Sequence, residues 1–119
     1  MDRPSPQTLV LIKTDPTKSH RAVEALRIAL GLGSHNEGQT LTLILRGQAP
    51  FLLAEDTSDI VDADILEKHL PVFIEWGIPF AVVTDSDTPS QYVSDCITKP
   101  ITPAEITAAL ESADRVLIF

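Results

Sequence analysis

Short, uninterrupted apolar runs that alternate with amphipathic helical patterns constrain this chain more than any other feature. The clearest run is Leu9-Val10-Leu11-Ile12, and others lie at 40–46, 79–84 and 115–119. A continuous apolar run suits a strand that is covered on both faces, as in a parallel sheet. The helical patterns between the runs supply the connections that parallel strands need. The sequence therefore predicts an α/β domain with three layers, α/β/α, around a mainly parallel sheet of about five strands.

The helices are predicted from apolar residues that recur every three or four positions. This spacing places one helix at about 20–30 and a second at about 62–76, where Pro71 would kink the helix or start a new one. A third helix, at 103–112, opens with a capping box formed by Thr102 and Glu105. Between the second and third helices, a short strand is predicted around 92–98.

Length and charge limit the class of protein. With 119 residues, the chain is predicted to form a flexible arm at 1–7 and a single domain at 8–119. Its 17 acidic and 9 basic residues give a net charge of −8, which argues against nucleic acid or an anionic membrane as partner. The first seven residues lack the apolar core of a signal peptide, and there is one cysteine. We therefore expect a cytoplasmic location, and no cofactor is predicted.

An acidic stretch precedes the second helix. Its carboxylates are Glu55, Asp56, Asp59, Asp62, Asp64 and Glu67. The stretch does not fit a calcium loop, because Val61 stands where such a loop needs glycine. Carboxylates ahead of a helix are favoured by its dipole, so we interpret them as solvated. The three histidines are far apart and lack ligand spacing, so no metal site is predicted.

The carboxyl ends of the predicted strands carry a candidate ligand-binding site. In open α/β sheets, ligands bind in the crevice at these ends. A small anion could contact the first amides of helix one together with Arg46. The predicted ligand-binding residues are Thr14, Asp15, Ser19, His20, Arg46, Gly47 and Thr84. The alternative is that these loops only cover the edge of the sheet.

Cys96, the single cysteine, is the candidate catalytic residue. Lys99 and the helix that begins at Pro103 are near it in sequence and could lower the pKa of its thiol. The alternative is a small apolar residue on a buried strand. The pair Lys99-Pro100 also resembles that of phosphoacceptor receiver domains, but the strand before Thr84 ends without a phosphoacceptor Asp. A degenerate receiver-like signalling domain is therefore a further alternative.

Several local patterns together resemble the DsrE/DsrF-like family of small sulfur-relay proteins. The similarity covers nearly the whole chain and is carried by segments 9–12, 20–30, 42–49, 70–79 and 113–119. In 70–79, a helix ends in Trp76-Gly77 before an apolar strand. The resemblance implies a three-layer domain that assembles as a trimer, a hexamer or a hetero-oligomer with related subunits.

The family position for sulfur chemistry lacks its cysteine here. In active members a cysteine at the end of the third strand, or just after it, carries a persulfide, whereas this chain reads Ala81-Val82-Val83-Thr84-Asp85-Ser86. The resemblance therefore implies a non-catalytic subunit, or a protein that binds a small anionic or sulfur ligand. The enzymatic alternative is a sulfurtransferase or sulfur carrier that uses Cys96.

Overall fold

Strands and helices alternate along the chain as the apolar runs predict. The computed structural model describes residues 6–119, so the part of the predicted arm at 1–5 lies outside the described residues. The elements are β1 (Thr8–Ile12), α1 (Arg21–Gly33), β2 (Leu41–Leu45), a 3₁₀ helix (Ala49–Leu53), α2 (Ala63–Trp76), β3 (Phe80–Val83), β4 (Thr98–Ile101), α3 (Pro103–Ser112) and β5 (Arg115–Ile118).

The sheet confirms the predicted fold class. Within residues 6–119 it has five strands in the order β4-β3-β2-β1-β5, and each neighbouring pair is parallel. This order also decides against the receiver-like alternative. In receiver domains the first strand lies between the second and the third, whereas here β2 lies between β1 and β3.

One hydrophobic core lies on each face of the sheet, between the strands and the helices that cover them. On one face of the sheet, the larger core joins α1, α2 and the 3₁₀ helix to the strands through residues such as Leu26, Leu52 and Phe73. On the other face, α3 crosses from the β4 edge to the β5 edge and buries Ile106 against Leu9 and Ile44. Side chains alternate between the faces along each strand, so β1 and β2 are apolar on both sides and serve both cores.

The helix bounds agree with the periodicity, but no second helix starts at Pro71. α2 continues through Pro71, although a proline there cannot donate to the carbonyl of Glu67. The buried faces of Leu66, Leu70 and Phe73 hold this helix on the sheet. At the start of α3, the Thr102 side chain accepts from the Glu105 amide and the Glu105 carboxylate accepts from the Thr102 amide, as predicted.

Two segments differ from the sequence-based boundaries. The strand predicted around 92–98 is instead a loop followed by β4 at Thr98–Ile101, so Cys96 does not lie on a strand. β4 contains Pro100 and is an edge strand, where the missing N–H costs no ladder hydrogen bond. Gln7, which the prediction assigns to the arm, is tied to the sheet: its amide donates to Asp114 at 2.7 Å and its carbonyl accepts from Arg115 at 3.1 Å.

Candidate ligand-binding site

The loops after β1, β2 and β3 meet at the carboxyl edge of the sheet. They are joined by backbone hydrogen bonds from Val61 to Pro16 (2.9 Å), from Glu55 to Gln91 (3.0 Å) and from Asp87 to Gly47 (3.0 Å). An isolated antiparallel bridge also pairs Ala54 with Tyr92. These contacts fix three chain segments that are distant in sequence, so the edge presents a preformed surface.

The predicted residues after β1 are occupied in local turns. The Asp15 carboxylate accepts from the Thr17 amide at 2.9 Å and from the Thr17 hydroxyl at 2.7 Å, and these bonds lower the pKa of Asp15. The Ser19 hydroxyl accepts from the Arg21 amide at 3.1 Å, which satisfies one donor at the start of α1. Thr14 is partly buried, and His20 is exposed. In this arrangement the turn satisfies donors that the sequence reasoning assigned to an anion.

The predicted cation at the end of β2 already has a partner. Arg46 donates to the Asp85 carboxylate at 2.8 Å in a pair that is open to solvent. Gln48 donates to Asp87 in the same loop, next to the bond between Asp87 and Gly47. Arg46 and Gly47 therefore bind the loop after β3, and an incoming anion would have to compete with Asp85.

Hydroxyl groups line the crevice where the resemblance places the family cysteine. A cavity of about 340 Å³ lies at the end of β3, beside Thr84, Ser86, Thr88, Tyr92 and Thr98. The Ser86 hydroxyl is shielded from solvent and has no hydrogen-bond partner among the described residues. The connections after β3 and β4 pack on opposite faces of the sheet, which opens a crevice of the kind that binds ligands in such folds. We call this space the hydroxyl cavity.

Cys96 is not among the described residues that line that cavity, although it lies beside Tyr92, which does. Its side chain is half-buried and packs against the larger core, beside Tyr92 and Val93. Burial raises the pKa of the Cys96 thiol from its ordinary value of 9.0 to about 11. At neutral pH the group is therefore a thiol rather than the thiolate that attacks sulfur or binds metal.

A further cavity at this edge was not predicted. It encloses about 480 Å³ between the loops after β1, β2 and β3, and it lies beside the apolar residues Phe51, Ile60 and Pro89. The acidic residues Glu55, Asp56 and Asp59 also line it, together with uncharged residues such as Ser90 and Gln91. We call it the acidic cavity. Glu55, Asp56 and Asp59 are exposed, which agrees with their interpretation as solvated acids. The cavity itself was not predicted, because its apolar residues are far apart in the chain.

Over residues 6–119, no three His, Cys, Asp or Glu side chains lie close enough together to hold a metal ion. The same residues contain no helix with the length and apolar character needed to cross a bilayer.

The edge and the fold define a class: a three-layer α/β domain with preformed cavities at the carboxyl ends of a parallel sheet. Neither a protein-family model nor a curated protein sequence matches the chain. Among solved structures, the chain is similar to the ychN protein from E. coli, with a TM-score of 0.72 and 17% identity over 96% of this chain and 99% of that one. That protein has a DsrE/DsrF-like fold, so the match confirms the fold that the resemblance implies, and at this identity it shows the fold alone.

Proposed function

We propose that this protein is a non-catalytic, DsrE-like subunit that binds a small ligand at the carboxyl edge of its sheet. The proposal rests on where the chain has a cysteine and where it has none. The end of β3 bears Thr84 and Ser86 instead of a thiol, and Cys96 is half-buried with a raised pKa. A hydroxyl cannot carry a persulfide, so the fold retains its crevice without the atom that would relay sulfur.

The proposal extends to assembly and location. We propose that the chain forms a homo-oligomer, as a trimer or hexamer, or a hetero-oligomer with related subunits in the cytoplasm. The apolar residues Val116 and Ile118 are 38% and 49% exposed on β5, which is an edge strand. Exposed apolar residues on an open edge invite pairing with another chain.

Sulfur transfer by Cys96 is the alternative that the first experiment addresses. The native protein is incubated at neutral pH with glutathione persulfide, and the intact mass is measured. We expect no added sulfur on native Cys96, because the protonated, half-buried thiol reacts slowly. The same chain unfolded in urea should react, and Cys96→Ser should not react in either state.

The pH dependence of alkylation provides a second readout of the same thiol. We expect the rate of alkylation by iodoacetamide to rise with pH through about 11 in the native protein and through about 9.0 in the unfolded chain. The pKa of Cys96 is higher in the native protein because burial disfavours the thiolate. Rapid sulfur addition to native Cys96, at the rate of the unfolded chain, would overturn the non-catalytic assignment.

A further inference from the structure

The loop after β3 divides its polar side chains between two sides. Residues 84–88 alternate hydroxyl and carboxyl groups along the chain. The three hydroxyl residues line the hydroxyl cavity, and they are Thr84, Ser86 and Thr88. The two acids between them, Asp85 and Asp87, instead accept hydrogen bonds from Arg46 and Gln48 of the loop after β2. The loop therefore presents hydroxyls to the cavity and holds its carboxylates elsewhere.

The hydroxyl cavity is bordered by one cation and by no carboxylate among the described residues. Tyr92 and Thr98 add two further hydroxyls to its walls, and Lys99 is exposed beside it on the edge strand β4. Burial raises the pKa of Tyr92, so its phenol is protonated at neutral pH and can donate a hydrogen bond. An ammonium only donates hydrogen bonds, so a ligand beside Lys99 needs acceptor atoms.

The Ser86 hydroxyl is the group that indicates a ligand. Its oxygen is shielded from solvent and has no hydrogen-bond partner among the described residues. A buried polar atom without a partner costs free energy, and the large majority of such atoms in folded proteins are satisfied. The Ser86 amide donates to the Val83 carbonyl at 2.9 Å, and this turn fixes the residue at the cavity wall. A ligand oxygen in the cavity would supply the partner that the hydroxyl lacks.

Hydrogen bonds hold the walls of the cavity in place on three sides. The Thr84 amide donates to the Ile101 carbonyl at 2.9 Å, which joins the ends of β3 and β4. The loop after β3 is bound to Gly47, and Tyr92 is held by its bridge to Ala54. The volume of about 340 Å³ falls within the roughly 300–1,000 Å³ that small-molecule sites occupy. The cavity is therefore preformed, with room for a small organic body beside an ionic group.

We propose that the hydroxyl cavity binds a tetrahedral oxyanion, a phosphate or sulfate group that is free or carried on a small organic body. Its oxygens accept from Ser86 and the neighbouring hydroxyls, and the Lys99 ammonium offsets its charge. Hydrogen bonds to a charged acceptor are stronger than those between neutral groups. The net charge of −8 opposes anions in general, so binding depends on the local arrangement that turns Asp85 and Asp87 away. This inference rests on the proposed ligand-binding function and names its ligand class.

Four probes separate charge from shape. Inorganic phosphate, sulfate, glycerol phosphate and glycerol are titrated into the isotope-labelled full chain, and amide shifts are followed by NMR while sodium chloride keeps the ionic strength constant. We expect the three oxyanions to give saturable shifts at 84–88 and 98–99 and glycerol to give none, because only the oxyanions bring charged acceptors. Tighter binding of glycerol phosphate than of inorganic phosphate would place the group on an organic body, and binding no tighter would identify the free ion.

The Ser86 hydroxyl is tested by a variant with two readouts. Ser86→Ala should weaken phosphate binding by roughly two- to tenfold, the effect of one hydrogen bond. Without phosphate, its stability in urea should be unchanged or raised, because the variant no longer buries an unpartnered oxygen. Ser90→Ala, at an exposed serine in the same loop, should leave phosphate binding unchanged. A loss of stability in Ser86→Ala alone would show that the hydroxyl has a structural partner and would overturn its role in binding.

The contribution of charge is tested at Lys99. Lys99→Gln should weaken phosphate binding by roughly two- to fivefold, the effect of one exposed ion pair. Lys68→Gln, at an exposed position of α2, makes the same change in net charge and should leave binding unchanged. Circular dichroism confirms that each variant is folded. Equal losses in the two lysine variants would show that only the overall charge matters and would overturn the site.

The outcomes distinguish this inference from the proposed function. Equal shifts with glycerol and glycerol phosphate, or no saturable shift at 84–88 with any of the three oxyanions, would overturn the oxyanion site. If the oxyanions instead move amides at 14–20 and 46–47, this inference fails and the proposed ligand-binding function stands at the residues expected from the sequence. Sulfur transfer to native Cys96 would remove the non-catalytic assignment and leave the oxyanion site intact.

Discussion

At the scale of single residues, Gly38 shows how closely the turn before β2 approaches the end of α2. It lies in the turn before β2 with φ of +75°, a conformation that side chains rarely adopt. A Cβ at this position would overlap Ile78 Cδ1 and lie 3.1 Å from the Trp76 ring. Gly38 therefore satisfies both a backbone and a packing requirement.

Replacing this glycine tests both requirements. We expect Gly38→Ala to lower the free energy of unfolding by about 2–4 kcal/mol, from left-handed strain and overpacking together. Gly31→Ala is the matched control: its Cβ would meet nothing within 4 Å, and loss of helical glycine should raise stability by about 0.5–1 kcal/mol. In an Ile78→Ala background, Gly38→Ala should cost less, because the overlap with Ile78 is removed while the strain and the Trp76 contact remain. Urea titration measures the unmodified protein and the four variants, and equal costs of Gly38→Ala in both backgrounds would contradict the packing account.

At the level of residues, local interactions could be predicted from the sequence, whereas the cavities could not. The capping box could be predicted because Thr102 and Glu105 are three positions apart and contact each other directly. The acidic cavity could not, because Phe51 and Pro89 belong to loops that only the folded sheet brings together. Asp56 and Asp59 are exposed as expected, so they gave no sign of the apolar residues that lie beside them in the folded protein.

At the scale of elements, apolar periodicity predicts the buried strands well and the edge strand β4 poorly. The apolar runs of β1 and β2 are buried on both faces, and their bounds were predicted closely. β4 is an edge strand whose residues are half-buried or exposed, so Thr98-Lys99-Pro100-Ile101 carries no continuous apolar run. The sequence therefore placed the strand at 92–98, and Cys96 was assigned to it. Burial of Ile106 and the cap at Thr102 instead fix the start of α3.

The cap of α3 should matter to one whole face of the sheet. Within residues 6–119, α3 is the helix that covers this face, and its own buried contact is small. We expect Thr102→Ala to lower the free energy of unfolding by about 1 kcal/mol, because the Glu105 amide loses its acceptor. Thr102→Ser retains the acceptor and is the control. Hydrogen exchange should quicken first at amides of α3, and an unchanged exchange rate there would argue against the cap as the stabilising contact.

At the scale of the whole molecule, the two faces of the sheet are covered unequally. Among the elements of residues 6–119, α1, α2 and the 3₁₀ helix bury one face, whereas α3 alone crosses the other and leaves the outer part of β5 open. Val116 and Ile118 are paired with Leu9 and Leu11 of β1, which are buried, so the apolar surface continues outward from the core to the edge. An apolar surface of this kind is costly in water and is stabilised when a second copy covers it.

Assembly can be tested at this edge. We expect the protein to sediment as a trimer or hexamer, and Ile118→Lys to shift it towards the monomer, because a buried ammonium without a partner opposes association. Gln39→Lys places the same charge on an exposed turn and should leave the assembly unchanged. Sedimentation velocity over a range of concentrations measures the mass of each protein. If the unmodified chain sediments as a monomer at every concentration, the cavities at the carboxyl edge must act within a single subunit and the proposed assembly is wrong.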